Sequence, residues 1–263
     1  MQLKATALGP LSDFVDPYGR QARLFPALIT IAPVALLVVA WFPALWSTLG
    51  VLLSLASSLG LVLLLAQLGR DRGKRCEAGL YKSWSGKPSV ALLRHSDSRI
   101  DRHTKARYRD FIRRKLSGLT FPSEAEEQAD PQAADSVYES VTAWLLTQTR
   151  DTRRFSILFK ENIGFGFRRN LWGLKPFGLM ISISAAAIST AAIAYTAAVS
   201  SAPALETVVV TAVSWVLAAI WTFVVTPSWV RVPADAYGAQ LLAACDTLDS
   251  DKPARSANTR AKR

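Results

Sequence analysis

Residues 155–178, FSILFKENIGFGFRRNLWGLKPFG, join a charged segment to a long run of small apolar residues. Aromatic side chains (Phe155, Phe159, Phe165, Phe167, Trp172, Phe177) are mixed there with cations (Lys160, Arg168, Arg169, Lys175). Such mixtures at the edge of an apolar span mark the membrane–water interface. We call this stretch the collar. Gly164, Gly166 and Gly173 make it a candidate hinge, because glycine loosens the backbone. The sequence therefore predicts a turn into the membrane, with Arg168, Arg169 and Lys175 reaching anionic headgroups while the aromatics sit at headgroup depth.

Outward from the collar, residues 176–205 contain no Asp, Glu, Lys, Arg or His. Glu206 follows, and then residues 207–230 are again uncharged. On the N-terminal side, residues 24–68 make a third uncharged run, 45 residues long. A bilayer-crossing helix takes about 20 apolar residues, so 45 suits two spans and a tight turn. The fold class predicted is an all-α integral membrane protein with four transmembrane helices, arranged as two hairpins around a helical cytoplasmic domain. The segments are residues 1–23 (polar lead), 24–68 (first hairpin), 69–176 (basic helical domain), 177–230 (second hairpin) and 231–263. The last is read as an amphipathic helix opened by Pro233 and a disordered basic tail.

Charge orients these spans. Of 31 Lys and Arg, three precede the first hairpin, 22 lie between the hairpins and six follow the second, so the hairpin tips carry none. The positive-inside rule then places both termini and the middle domain in the cytoplasm, in a plasma (bacterial inner) membrane. Cytoplasmic cations are what that rule demands. The net charge of +11 is thus no argument for nucleic acid, which is disfavoured as a partner. Anionic headgroups are the expected contact.

Apart from Glu206 on the outer rim, the spans hold no ionisable side chain except Tyr195. Ion-coupled transporters place Asp, Glu, His or Lys at membrane depth, which argues against that class. His95, Asp97, Asp101 and His103 fit no zinc-ligand spacing and sit among cations, so the histidines are read as solvated. Cys76 has no histidine near it in sequence to activate a thiolate. No catalytic residue, metal or cofactor is assigned, and the chain is not expected to be an enzyme. Cys76 and Cys245 both fall on the cytoplasmic side, where a structural disulfide is not expected.

The candidate contact residues lie on two elements. In a basic helix over about 99–116, Arg102, Lys105, Arg109 and Arg113 occupy a roughly 80° arc beside an apolar face of Tyr108, Phe111, Ile112 and Leu116. They are expected to be solvated or to meet anionic lipid. In the collar, Gly164-Phe-Gly166 before Arg168 and Arg169 also suits a backbone nest for an anion. Ser123 with Glu126 forms a capping-box pattern, Asp130-Pro131 punctuates, and a helix is expected over 133–149.

Candidate packing or pore-lining residues are Gly50, Ser54 and Ser58 in the second span and Ser182, Ala186, Ser189 and Thr190 in the third. Small residues let helices approach closely in lipid. The third span is small on every side, and is expected to be the most enclosed helix. Two short-turn hairpins around a cytoplasmic helical block are similar in layout to rotary-motor stator subunits and to bacterial membrane effectors of phage defence. The third span lacks the proline expected of stators, and layout alone does not carry function. The expectation is a non-enzymatic, homo-oligomeric, pore-forming or membrane-permeabilising effector controlled through its cytoplasmic domain, with a cytoplasmic protein or nucleotide as candidate partner. The alternatives are an anchor or scaffold that recruits a soluble partner, and a stator-like channel subunit.

Overall fold

The computed structural model describes residues 16–42, 48–199 and 202–250, the side chains of 48–58 excepted. Every regular element among the described residues is helical. The chain forms two compact units: Met1–Leu80 with Ile163–Val232, and Tyr81–Asn162 with Pro233–Arg263.

The first unit starts with a π-helical turn, Gly19–Leu24, whose Gly19 N–H donates to Asp16 Oδ2 at 2.7 Å. Helix α1, Phe25–Trp41, follows without a break and holds Pro33 in its interior. Pro26 lies in its first turn, where a missing N–H breaks no helical hydrogen bond. Helix α2, Thr48–Ser83, runs well past the residue-68 limit expected of the second span. Three helical stretches among the described residues are long and apolar enough to cross a membrane: Gly19–Trp41, a window within Ser156–Ala198, and Leu205–Val224.

The collar differs from its sequence reading. It is no turn: Ser156–Ala198 is one 43-residue helix, α7, with Pro176 inside it. The third span also fails to be the most enclosed. Its apolar window is 28% buried, the same share as Gly19–Trp41 and Leu205–Val224. Helix α8, Leu205–Ala219, passes into a π-helical turn, Ile220–Val224, and stops at Val225 with φ −75° and ψ 86°. Pro227 then opens helix α9, Pro227–Ser250, so Pro233 lies inside that helix and does not begin it.

The second unit is built from short amphipathic helices: α3, Pro88–Ala91; α4, Arg102–Lys115; α5, Glu124–Ala129; α6, Pro131–Gln148; and the C-terminal part of α9. Local chemistry starts each one. Asp101 caps α4 by accepting from His103 N and Thr104 N. Ser123 and Glu126 close the capping box of α5 in both directions, and Asp130 caps α6 with Pro131 behind it. The end of α2 needs left-handed backbone, supplied by Ser85 (φ 62°) and Gly86 (φ 129°), and Gly86 N–H reaches back to Tyr81 O at 2.8 Å. The core gathers Leu93, Phe111, Ile112, Tyr138, Val141, Leu145, Leu241 and Leu242, each almost fully buried. The apolar positions at three- and four-residue spacing on α4, α6 and α9 thus meet in one continuous core.

Candidate functional site

Two groups of residues gather the predicted contacts, one in each unit. In the first unit, the collar glycines are crossing points. A Cβ added at Gly173 would lie 2.5 Å from Gly73 N and 2.9 Å from Arg72 C, so α7 and α2 touch backbone to backbone there. A Cβ at Gly73 would lie 2.6 Å from Asn170 Oδ1. A Cβ at Gly166 would lie 2.8 Å from the Tyr18 hydroxyl and 3.1 Å from Ala22 Cβ. Gly178 abuts the Trp221 indole so closely that a Cβ would overlap it. Gly164 is half-buried within the same helix. Gly166 and Gly173 therefore serve close approach, which is the opposite of a hinge.

The collar cations are bound within the unit. Arg168 Nη1 donates to Trp229 O at 2.8 Å, and its guanidinium lies 4.6 Å from the Trp229 ring centroid. Arg169 is buried and pairs with Glu77 at 2.5 Å. Its Nε and Nη2 donate to Asn170 Oδ1 at 3.2 and 3.1 Å, while Asn170 Nδ2 donates to Ala22 O at 2.7 Å. Lys175 Nζ donates to Thr222 O (3.2 Å) and Val225 O (2.7 Å), and Arg72 Nε donates to Gly173 O at 3.1 Å. For Lys175 the reason is the helix end at Val225. Terminal carbonyls of a helix lack intrahelical donors, and a nearby cation satisfies both their hydrogen bonding and the helix dipole. Arg168, Arg169 and Lys175 thus clasp helices, where the sequence had them reach outward as a group.

Of the small residues in the third span, Ser182, Ala186 and Ser189 are buried and Thr190 is exposed. Ser189 Oγ donates to Ala185 O at 2.8 Å and Thr190 Oγ1 to Ala186 O at 2.6 Å, so both hydroxyls bond back to their own helix. Trp215 Nε1 lies 3.4 Å from Thr190 Oγ1. Ser182 Oγ and Ser214 Oγ are buried without a hydrogen-bond partner. The opposite face of α7 carries a line of small exposed residues, Ser184, Ala187, Ala191, Ala194 and Ala198, flanked by the exposed Ile188 and Tyr195. Gly50, Ser54 and Ser58 lie in α2, where their side chains fall outside the described residues.

In the second unit, α4 splits the predicted basic arc. Arg102 and Arg113 are exposed, whereas Lys105 (5% exposed) and Arg109 (8% exposed) turn into the core. At 100° per residue, Lys105 and Arg109 stand nearest the Tyr108–Ile112 stripe, and that proximity is the sequence signal for their burial. Lys105 Nζ donates to Arg94 O at 2.6 Å and to Asp97 O. Arg109 Nη2 donates to Leu93 O at 2.5 Å, and Nη1 lies 2.9 Å from His95 Nε2. The Arg109 guanidinium also lies 5.7 Å from the Phe121 ring centroid and 6.0 Å from that of Tyr138. His95 Nε2 is 3.0 Å from Pro122 O, so His95 is half-buried and bonded, in contrast to its solvated reading; His103 is exposed.

Glu127, buried and not singled out by sequence, completes this network. Its carboxylate accepts from His95 N (2.9 Å) and from the Tyr138 hydroxyl (2.6 Å). Burial acts to raise its pKa, but the hydrogen bonds from Tyr138, His95 and Ser96 outweigh it and hold the group below its ordinary value. Burial, reinforced by the charge of Arg109, lowers the Lys105 ammonium; burial likewise lowers Arg109. Asp97 is held down by hydrogen bonds and charge from Arg99, against the effect of its own burial. His95, Asp97, Ser98, Arg102, Lys105 and Arg109 line part of one cleft of about 520 Å³.

Among the described residues, no three His, Cys, Asp or Glu side chains converge to hold a metal ion. Cys245 is buried, with its thiol pushed up to about 12 by burial and by Asp246. Cys76 is half-buried, and both cysteines are free. Compared with known proteins, the chain matches no family model, no curated protein and no solved structure.

Proposed function

We propose that this chain is a non-enzymatic, four-span membrane effector of a bacterial inner membrane, acting as a homo-oligomer that changes bilayer permeability. The fourth span is the apolar first half of α2, which joins the three helical stretches described above. The absence of Lys and Arg from both hairpin tips puts the termini and the second unit on the cytoplasmic side. The observation that carries the oligomer is the outward face of α7. Ser184, Ala187, Ala191, Ala194 and Ala198 recur at three- and four-residue spacing and are exposed, on the side opposite the buried stripe Ser182, Ala185, Ala186 and Ser189. Small residues offer lipid little contact but let a second helix approach closely. The second unit supplies control.

Ion flux through the purified protein in liposomes is the direct test. Dose-dependent flux that is abolished by Ala191→Leu, together with loss of chemical cross-linking between copies, is expected. Vesicles that stay tight under all conditions would sink the effector reading.

A second reading, an anchor that holds a soluble partner at the membrane, is favoured by the collar. Its glycines and cations lock helices together and leave no hinge in α7. Replacing all four spans with an unrelated pair of hairpins separates the two readings, because an anchor tolerates the swap and a pore does not.

A further inference from the structure

Lys105 and Arg109 are more than nine-tenths buried, yet neither has a carboxylate within ion-pair distance. Both bond to main-chain carbonyls, and Arg109 adds a ring nitrogen of His95 and two aromatic faces. Arg109 Nε is buried without a partner. An ammonium has three donors, and two carbonyls leave the third of Lys105 uncommitted. Buried charge of one sign is costly unless something of the other sign meets it.

The nearby acids are engaged elsewhere. Asp97 binds Arg99 through both a side-chain pair at 2.7 Å and the Arg99 backbone N–H, Asp101 caps α4, and Glu127 holds His95, Ser96 and Tyr138. The two cations lie against the cleft of about 520 Å³, with exposed Arg102 and Ser98 on the same lining and the carboxylates there, Asp97 and Asp101, already engaged as above. That volume falls within the range of about 300–1,000 Å³ typical of small-molecule sites.

We infer that this cleft binds a phosphate-bearing anion, held by Arg102 and the free Lys105 donor over the fixed positive field of Arg109. Arg102 supplies a planar fork matched to phosphate oxygens, and Ser98 supplies a hydroxyl donor. The inference names the control input of the effector reading, and it rests on that reading only for what binding does to the membrane.

The test is titration of the full chain, in nanodiscs of pure phosphatidylcholine, with pyrophosphate at constant ionic strength, read by calorimetry and by the Tm of the second unit. Chloride is the control. Saturable binding is expected, weakened about tenfold by Arg102→Gln, as befits one lost charge-assisted hydrogen bond. Ser98→Glu, at an exposed position, places a carboxylate in the cleft and should abolish binding without unfolding the unit. A parallel arm uses nanodiscs with phosphatidic acid and no added pyrophosphate. A stabilisation sensitive to Arg102→Gln there, with no pyrophosphate binding in phosphatidylcholine, identifies the anion as a lipid headgroup; binding in phosphatidylcholine identifies a soluble ligand. Absence of any response sensitive to Arg102→Gln or Ser98→Glu in both arms overturns the site. Normal binding with tight liposomes would instead overturn the effector reading and leave the site standing.

Discussion

The two units treat apolar surface in opposite ways. In the second unit, one continuous core takes in Leu93, Phe111, Tyr138, Leu145, Leu241 and their neighbours. Among the described residues, only Leu146 and Ile157 of that unit leave a large apolar side chain exposed. The first unit has smaller separate clusters, around Leu24 and Val62 and around Leu174 and Trp221. It exposes Phe25, Leu64, Met180, Ile188, Leu205, Val216 and Phe223, with many more. Water would penalise that surface by about 25 cal/mol per Å², whereas lipid tails would not. Polar groups reverse the pattern. The second unit has a solvated cationic exterior over a buried Lys–Arg–Glu network, and the first unit turns Arg168, Arg169 and Lys175 onto main-chain carbonyls and Glu77. The lesson is that this chain uses cations as internal fasteners in both surroundings, and that apolar exposure separates the units more sharply than charge does.

Glycine substitution should break that contrast most strongly. Gly173→Ala puts a methyl group into the α2 backbone, which cannot yield as a flexible side chain could. A loss of about 3 kcal/mol is expected for the first unit, at the upper end of overpacking costs, read by thermal unfolding in detergent. Wild-type stability in this variant would mean that α2 and α7 do not cross at Gly73.

In the second unit, Glu127→Ala strands the Tyr138 hydroxyl and the His95 N–H. The expected loss is about 2 kcal/mol. It should be visible as faster labelling of Cys245, a buried thiol that can react only when that unit opens. Cys76, which belongs to the first unit, should label at an unchanged rate.

Acid provides a smaller and graded version of the same test. The Glu127 and Asp97 carboxylates are held below their ordinary values of 4.5 and 3.8 in the folded unit. The unfolded chain therefore binds the extra protons first, so their contribution is complete above those values and is lost as pH falls through the lowered ones. Lys105 has the same sign in a different window. Its pKa is lowered from 10.5, so the unfolded chain is the better proton acceptor in the alkaline window and stability rises with pH up to about 10.5. A pH series of thermal unfolding of the second unit checks both limbs, and Glu127→Gln should flatten the acid one.

The smallest effect is expected at Gly79, where an added Cβ meets nothing within 4 Å. Gly79→Ala should stabilise α2 by about 0.5–1 kcal/mol through helix propensity alone. The opposite signs at Gly79 and Gly173 distinguish propensity from packing in one fold.

Much of the fold was legible in sequence because it is written locally. Ser123 and Glu126, and Asp130 and Pro131, act over a few residues and open helices where expected, and three span-length apolar helices fall in the uncharged runs. The collar was misread because glycine has two uses. In one dimension Gly166 and Gly173 cannot be told apart from a hinge; only the arrival of Tyr18, Ala22 and Gly73 makes them contact points. Pro233 was misplaced as a helix start for a similar reason, since the π-helical turn that stops before Val225 lets the helix restart several residues earlier, at Pro227. The cleft was half legible. Its cations were visible on one helix face, but Glu127, Tyr138 and His95 come from separate elements with no shared periodicity.

By itself, the sequence determined that this chain is helical, that its apolar residues are gathered into span-length runs, and that its cations lie outside those runs. Those properties follow from composition and short-range periodicity, which need no neighbour in space. Only the tertiary structure decided which cations are buried, which glycines are crossings and which acids are already engaged. Each of those depends on a partner far away in the chain, as Arg169 depends on Glu77 and Gly173 on Gly73.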